Sequence, residues 1–142
     1  MNGKNLRIEK LFNKNENVVI VAIDHGMFDG PIPGMTNLKD TGEKIDSSVD
    51  GVLLSPGMLK HLRSTFNYKG APMPIVRLNW SSVYCFHWNY NNAYTAIAQS
   101  VDQAVANGAE IVLASLTLQT EEKNDVDNVK IYSQLVNAAD KL

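Results

Sequence analysis

One cysteine, Cys85, is all that the 142 residues contain. A single thiol closes no internal disulfide, so the chain is expected to fold by its core alone, in a reducing compartment. Long apolar runs are missing as well. The longest, Val18–Ile23, is far short of the ~20 residues that a membrane-spanning helix needs. The polar start MNGKNLRIEKLFNKNEN has no apolar core of a secretion signal. These absences lead to an expectation of a cytoplasmic protein without a membrane partner. Charge of one sign is lacking too: 13 Lys and Arg face 15 Asp and Glu, for a net charge of −2. No basic stripe follows a phosphate backbone, so nucleic acid is not an expected partner. No Gly-x-Gly-x-x-Gly follows an apolar run, which removes support for a dinucleotide fold. The stretch Phe28–Gly34 is rich in glycine but broken by Pro31 and Pro33, a poor phosphate cradle. No His, Cys or carboxylate pair has metal-ligand spacing, so neither metal nor cofactor is expected.

What the sequence does contain is alternation. Val18–Ile23 is a continuous β-branched run, as expected of a strand buried on both faces. Shorter runs follow at Gly51–Leu54, Pro74–Leu78 and Ile111–Ala114. Helical spacing lies around and between them. Ile8, Leu11 and Phe12 share a face, and Met58, Leu62 and Phe66 recur every four residues. Tyr94, Ile97, Ala98, Val101 and Val105 form a stripe closed by Asn107–Gly108. Val126, Val129, Tyr132, Val136 and Ala139 form the last stripe, with Asn124 or Asp125 as N-cap. A short helix is expected within Lys39–Ser47. The resulting α-β-α-β-α-β-α-β-α order predicts an α/β fold with parallel strands and crossover helices. A (β/α)8 barrel takes about 250 residues. Four βα units therefore make either an open four-stranded sheet or half a barrel.

In both architectures chemistry gathers beyond the C-terminal ends of the strands. That picks out Asp24 and His25 after the first strand and Ser55–Pro56 after the second. Arg77, Asn79 and Trp80 belong to the third, and Ser115–Thr117 follow the fourth. Ala22 and Asp24 share one face of their strand, and Arg77 and Asn79 share one of theirs. An inward Arg77 would then stand within reach of an inward Asp24. A carboxylate ending a buried apolar strand is costly unless paired. Each residue also has a plain structural reading. Asp24 serves equally as a turn cap before Gly26, His25 as a loop residue, and Arg77 as a buried ion-pair partner. Cys85 reads as a small buried apolar group. The segment Trp80–Asn92 holds both tryptophans, and reads either as a loop packed on itself or as a wall facing substrate.

The segment Val19–Gly26 followed by Gly30–Pro31 resembles the first strand of archaeal-type class I fructose-bisphosphate aldolases. These group with the deoxyribose-phosphate and tagatose-bisphosphate aldolases. Asp50–Gly57 resembles that family's second strand and turn, Pro74–Asn79 its third strand, and Ser100–Ala109 the helix and turn into its fourth. Glu121–Glu122 resembles the acidic start of the next helix. The resemblance runs through nearly all of the chain, in order, and matches the N-terminal half of the family's domain. It implies the first four strands of a TIM (β/α)8 barrel over residues 1–142, preceded by a helix. It implies reversible aldol cleavage of a phosphorylated sugar, such as fructose 1,6-bisphosphate, through a Schiff base. Asp24 is then the catalytic carboxylate, with Arg77, Asn79 and His25 toward the substrate. In that family the Schiff-base lysine lies near the end of strand six, beyond what is here. None of the ten lysines falls mid-strand, where burial would depress its pKa. The 142 residues are therefore expected to be inactive alone. The alternative is a non-catalytic half-barrel that pairs with itself or with a separate second half. A homo-oligomer is expected either way, because an open sheet leaves strand edges unpaired.

Overall fold

The computed structural model describes residues 3–12, 17–85 and 93–142. Helix α1 (Gly3–Phe12) leads into strand β1 (Ile20–Ala22), and the short helices α2 (Gly26–Asp29) and α3 (Leu38–Gly42) precede β2 (Gly51–Leu54). A 3-10 turn (Leu59–His61) and α4 (Arg63–Phe66) lead to β3 (Met73–Arg77). Then come β4 (Asn79–Ser81), a second 3-10 turn (Ser82–Tyr84), β5 (Thr95–Ile97), α5 (Val101–Ala106), β6 (Ile111–Leu113) and α6 (Glu122–Ala139).

The four strands read from the apolar runs are β1, β2, β3 and β6. They form one all-parallel sheet in that order, with Ile20 opposite Gly51, Gly51 opposite Met73, and Ile75 opposite Ile111. Parallel strands joined through helices are what the alternation predicts, and what both an open sheet and half a barrel require. Side chains alternate across the sheet. Val21, Ile23, Val52 and Leu54 pack with Met58, Leu62 and the α3 region. Val76, Leu78 and Val112 pack against α5 and α6 through Val101, Ala104 and Leu135. On the opposite face Ile20, Gly51 and Ile75 meet. A Cβ on Gly51 would lie 2.9 Å from Ile75 Cδ1 and 3.4 Å from Ile20 Cγ1, so a larger residue there would have to push the end of the Ile75 side chain aside.

Several expectations need correction. The first strand is not buried on both faces: Val19 and Ile20 are about half exposed and Ala22 is exposed. β1 is an outer strand of the described sheet, and nothing described covers that face. The stripe from Tyr94 to Val105 is not one helix. Thr95–Ile97 pair antiparallel with Asn79–Ser81, and α5 begins only after Ser100, whose Oγ accepts from Gln103 N at 3.2 Å. Ser100-x-x-Gln103 is a capping sequence that marks this boundary. The Met58–Phe66 spacing gives a 3-10 turn and a four-residue helix, broken at Leu62, although Met58 and Leu62 are buried.

The last helix forms as expected but turns a different face inward. Asn124, Asn128 and Leu135 are buried, while Val126 and Val129 are exposed. Its N-cap is Glu121 rather than Asn124 or Asp125. Asp125 instead reaches back to accept from Gln119 N, Thr120 N and the Thr120 hydroxyl, and these bonds, the hydroxyl's foremost, hold its carboxyl below the usual range. Helix α1 exists but buries none of its residues. Among the described residues no helix is long and apolar enough to cross a membrane.

Candidate active site at the mouth of the sheet

Four segments end at the same place. Asp24 follows β1, Arg77 ends β3, Asn79 opens β4, and Ser115 lies just beyond β6. All except Ser115 are buried: Asp24 is 3% exposed, Arg77 8% and Asn79 1%. A charged pair this deep stays only where its donors and acceptors are matched. Arg77 Nε donates to Asp24 Oδ2, a contact that is also an ion pair. Arg77 Nη1 donates to Ser115 Oγ at 2.5 Å. Asn79 fixes Ser115 from both sides: its Nδ2 donates to the Ser115 carbonyl at 2.7 Å, and its Oδ1 accepts from the Ser115 N–H at 2.9 Å. The result is a polar chain across the C-terminal end of the sheet, Asp24–Arg77–Ser115–Asn79. Among the described residues Asp24 Oδ1 has no hydrogen-bond partner.

An aromatic corner covers the guanidinium. Arg77 Cζ lies 5.3 Å from the Phe28 ring and 5.3 Å from the Tyr84 ring. The two ring centroids are 5.2 Å apart and tilted by 59°. Three nearly equal distances place the cation on the two rings as walls, not between them as a sandwich, and each wall adds cation–π attraction. Phe28 comes from α2 and Tyr84 from the 3-10 turn after β4. Trp80 ties these two elements together, with Nε1 donating to the Met27 carbonyl at 3.1 Å.

The structure thus brings together Asp24, Arg77 and Asn79, as their strand positions suggested, and leaves His25 aside. His25 is exposed at the N-cap of α2, where its carbonyl accepts from Phe28 N and Asp29 N. Sequence reasoning named Ser115 as a strand-end residue without giving it Arg77 as partner. It missed Phe28, because the glycine- and proline-broken loop around it hid a four-residue helix. Cys85 is buried as expected, and burial first, then the nearby Asp29 carboxylate, pushes its thiol pKa up. Of the aromatic segment, Tyr84 belongs to this wall and Trp80 braces it, and residues 86–92 lie outside the described residues. Every described lysine is exposed and none lies in a strand; Lys14 lies outside the described residues. No group of three potential metal ligands occurs among the described residues.

Parallel strands with crossover helices and polar groups gathered at their C-terminal ends are the arrangement of an α/β fold, and the structural comparison makes it part of a TIM barrel. No family model matches the chain. In fold it is similar to the chain in a structural study of reaction intermediates of the Schiff-base-forming fructose-1,6-bisphosphate aldolase. That match has a TM-score of 0.73 at 21% identity and covers 99% of this chain and 54% of the other. In sequence it is 33% identical over 120 residues to an uncharacterised aldolase of Saccharolobus solfataricus, covering 83% of this chain and 44% of that protein. It is 29% identical to the 2-amino-4,5-dihydroxy-6-oxo-7-(phosphonooxy)heptanoate synthase of Streptomyces griseus, over 84% of this chain and 42% of that one. It is 28% identical to a 3-hydroxy-5-phosphonooxypentane-2,4-dione thiolase of Escherichia coli, over 99% of this chain and 45% of that one. The chain therefore spans somewhat under half the length of the curated relatives it matches. The aldolase resemblance read from the strand motifs stands.

Proposed function

We propose that these residues are the N-terminal half of a class I aldolase-type barrel, and that Asp24 and Arg77 are the substrate-handling groups it contributes. The observation that carries this is the Asp24–Arg77 pair at the mouth, with Asp24 Oδ1 left over. In aldol cleavage through a Schiff base, a lysine amine replaces the ketone oxygen of the substrate, with loss of water. The resulting iminium draws the electron pair of the breaking C–C bond. The hydroxyl on the departing carbon must then surrender its proton as it becomes a carbonyl. A carboxylate within hydrogen-bond reach orients that hydroxyl and takes or relays the proton. Arg77 holds the carboxylate in place through Oδ2, and Asn79 holds Ser115 against Arg77.

The lysine belongs to strands beyond residue 142 in this reading, and the 142 residues alone perform no aldol chemistry. A phosphorylated carbonyl compound is the substrate class supported by the relatives, two of which carry a phosphonooxy group in the names of their reactions. The test is borohydride trapping with dihydroxyacetone phosphate, followed by intact mass. The 142-residue chain should form no covalent adduct, and a protein that continues through the remaining strands should form one per chain. An adduct on the short chain, or none on the long one, overturns the reading. The second reading, a non-catalytic half-barrel that pairs with another copy, is favoured by the exposed Ile20 and Ala22 face and by the edges of β1 and β6, which have no strand partner among the described residues. An inert long protein would point there.

A further inference from the structure

The pair that the proposed function gives to substrate is closed. The side chains of Asp24 and Arg77 are only 4% and 10% exposed, with no strand beyond β6 against them. The cover therefore comes from this half of the fold, and its two sides differ. Tyr84 sits in a turn pinned to the residue before β5: Ser82 N donates to the Tyr94 carbonyl at 3.0 Å, and Tyr94 N donates to Ser82 Oγ at 2.9 Å. The other side is α2, which lays Phe28 against the guanidinium. It is a single turn with no buried residue and no side-chain cap. Its backbone bonds run within residues 24–30. The bond that crosses from it to β4 is a side-chain one, from Trp80 Nε1 to the Met27 carbonyl.

Glycines stand at both ends of α2. A Cβ at Gly26 or Gly30 would meet nothing within 4 Å. Gly30 has φ 71° and ψ −146°, a conformation essentially restricted to glycine. Both glycines line a cavity of about 120 Å³ together with Ile23, Met35 and Met58, so the ends of the turn border space rather than close-packed side chains. A short segment with such ends can move as a unit, because the change in backbone angles falls on the few residues that absorb it at low cost.

We propose that α2 is a lid over the Asp24–Arg77 pair. It turns about Gly26 and Gly30 and is latched by Trp80, and its opening lifts Phe28 from the guanidinium so that substrate reaches Asp24. What enters rests on the proposed function; the motion does not. Phenylglyoxal, which modifies accessible guanidinium groups, tests the motion on the 142-residue chain without substrate. The chain has three arginines, and the exposed Arg7 and Arg63 serve as internal standards. Peptide mass mapping gives the three rates. Arg77 should react more slowly than the standards, at a rate that low urea leaves unchanged, as a local opening requires. Trp80→Phe should speed Arg77 about fivefold, the worth of one hydrogen bond. Gly26→Ala should slow it about two- to fivefold by stiffening the hinge, a slowing that a weakened fold does not produce. The standards should not respond to either substitution. Arg77 reacting as fast as Arg7 means an open site, and Arg77 reacting only in step with unfolding by urea means a fixed cover. An unchanged rate in either variant removes the latch or the hinge. Each of these results overturns the lid and leaves the borohydride test of the aldolase reading untouched, whereas an inert longer protein overturns that reading and leaves the lid.

Discussion

The two ends of the sheet are both tied by ion pairs between distant segments, yet the pairs are opposite in kind. At the C-terminal end Asp24 and Arg77 are about nine-tenths buried or more, and they are joined to Ser115, Asn79 and two aromatic rings. At the other end Lys10 of α1 meets Glu110 before β6 at 2.6 Å, and Lys4 meets Asp140 at 3.3 Å, all four substantially exposed. The exposed pairs fasten a helix that buries nothing of its own. They act as a fastening in high dielectric, where each partner keeps its water. The buried pair gives up that water. Geometry alone repays such a cost poorly, which is why the proposed function gives the pair at the mouth a substrate to handle. The same chemical pairing is buried and cross-linked at one end and solvated at the other; under the proposed function the buried pair handles substrate, while the exposed pairs attach a helix.

The sharpest break of that contrast is Asp24→Asn in a protein that includes the rest of the barrel. Asparagine keeps an acceptor for Arg77 Nε but loses the base. If Asp24 handles the proton, turnover should fall by ~100- to 10,000-fold at temperatures where the variant is folded. Near-normal turnover with a lowered melting temperature would leave Asp24 as a structural partner of Arg77 only.

Arg77→Leu asks how much stability rests on the same pair. It leaves a buried carboxylate without its cation, and removes the Ser115 bond and both ring contacts. Urea unfolding should show a loss of about 3–5 kcal/mol. Adding Asp24→Leu should recover part of that, because a buried pair replaced by apolar groups is far less damaging than a pair half removed. If the double variant is as unstable as the single, the ring contacts rather than the charge hold this end together.

The third test sets a central strand against an outer one. Ile75 of β3 is 4% exposed and Ile20 of β1 is 48% exposed, although both contact the same Gly51. Ile75→Ala should cost about 2–5 kcal/mol, whereas Ile20→Ala should fall within about 0.5 kcal/mol. Equal costs would mean that the open face of β1 is covered in solution by another copy. This is also where the sequence misled. Val18–Ile23 reads as doubly buried because apolar composition reports which surfaces suit burial, not which neighbours are present to bury them. The Val126 and Val129 stripe of α6 misled in the same way. The β3 run and the mouth were legible because alternation along a strand places Arg77 and Asn79 together without reference to anything distant. The β4–β5 pairing was not legible, since Tyr94, Ile97 and Val101 happen to fit a helical spacing across the true boundary at Ser100. Phe28 and Tyr84 meet only through tertiary folding, and no local pattern announces that.

The smallest effect belongs to the exposed end. Lys10→Gln removes one charge from a pair whose side chains are 56% and 34% exposed. Such pairs contribute roughly 0–1 kcal/mol, because water already solvates both partners and fixing two long side chains costs entropy. The variant should therefore unfold within that margin of the parent in low salt, and the difference should shrink as ionic strength rises and screening shortens the reach of the charge. Glu110→Gln should match it, since either change abolishes the same attraction. The comparison breaks if either substitution costs as much as Arg77→Leu, or if the cost persists at high salt. Either result would mean that the Lys10–Glu110 contact is sheltered from water in solution, and that α1 is held against the sheet by burial that the exposed surfaces of Leu6, Ile8 and Phe12 do not show.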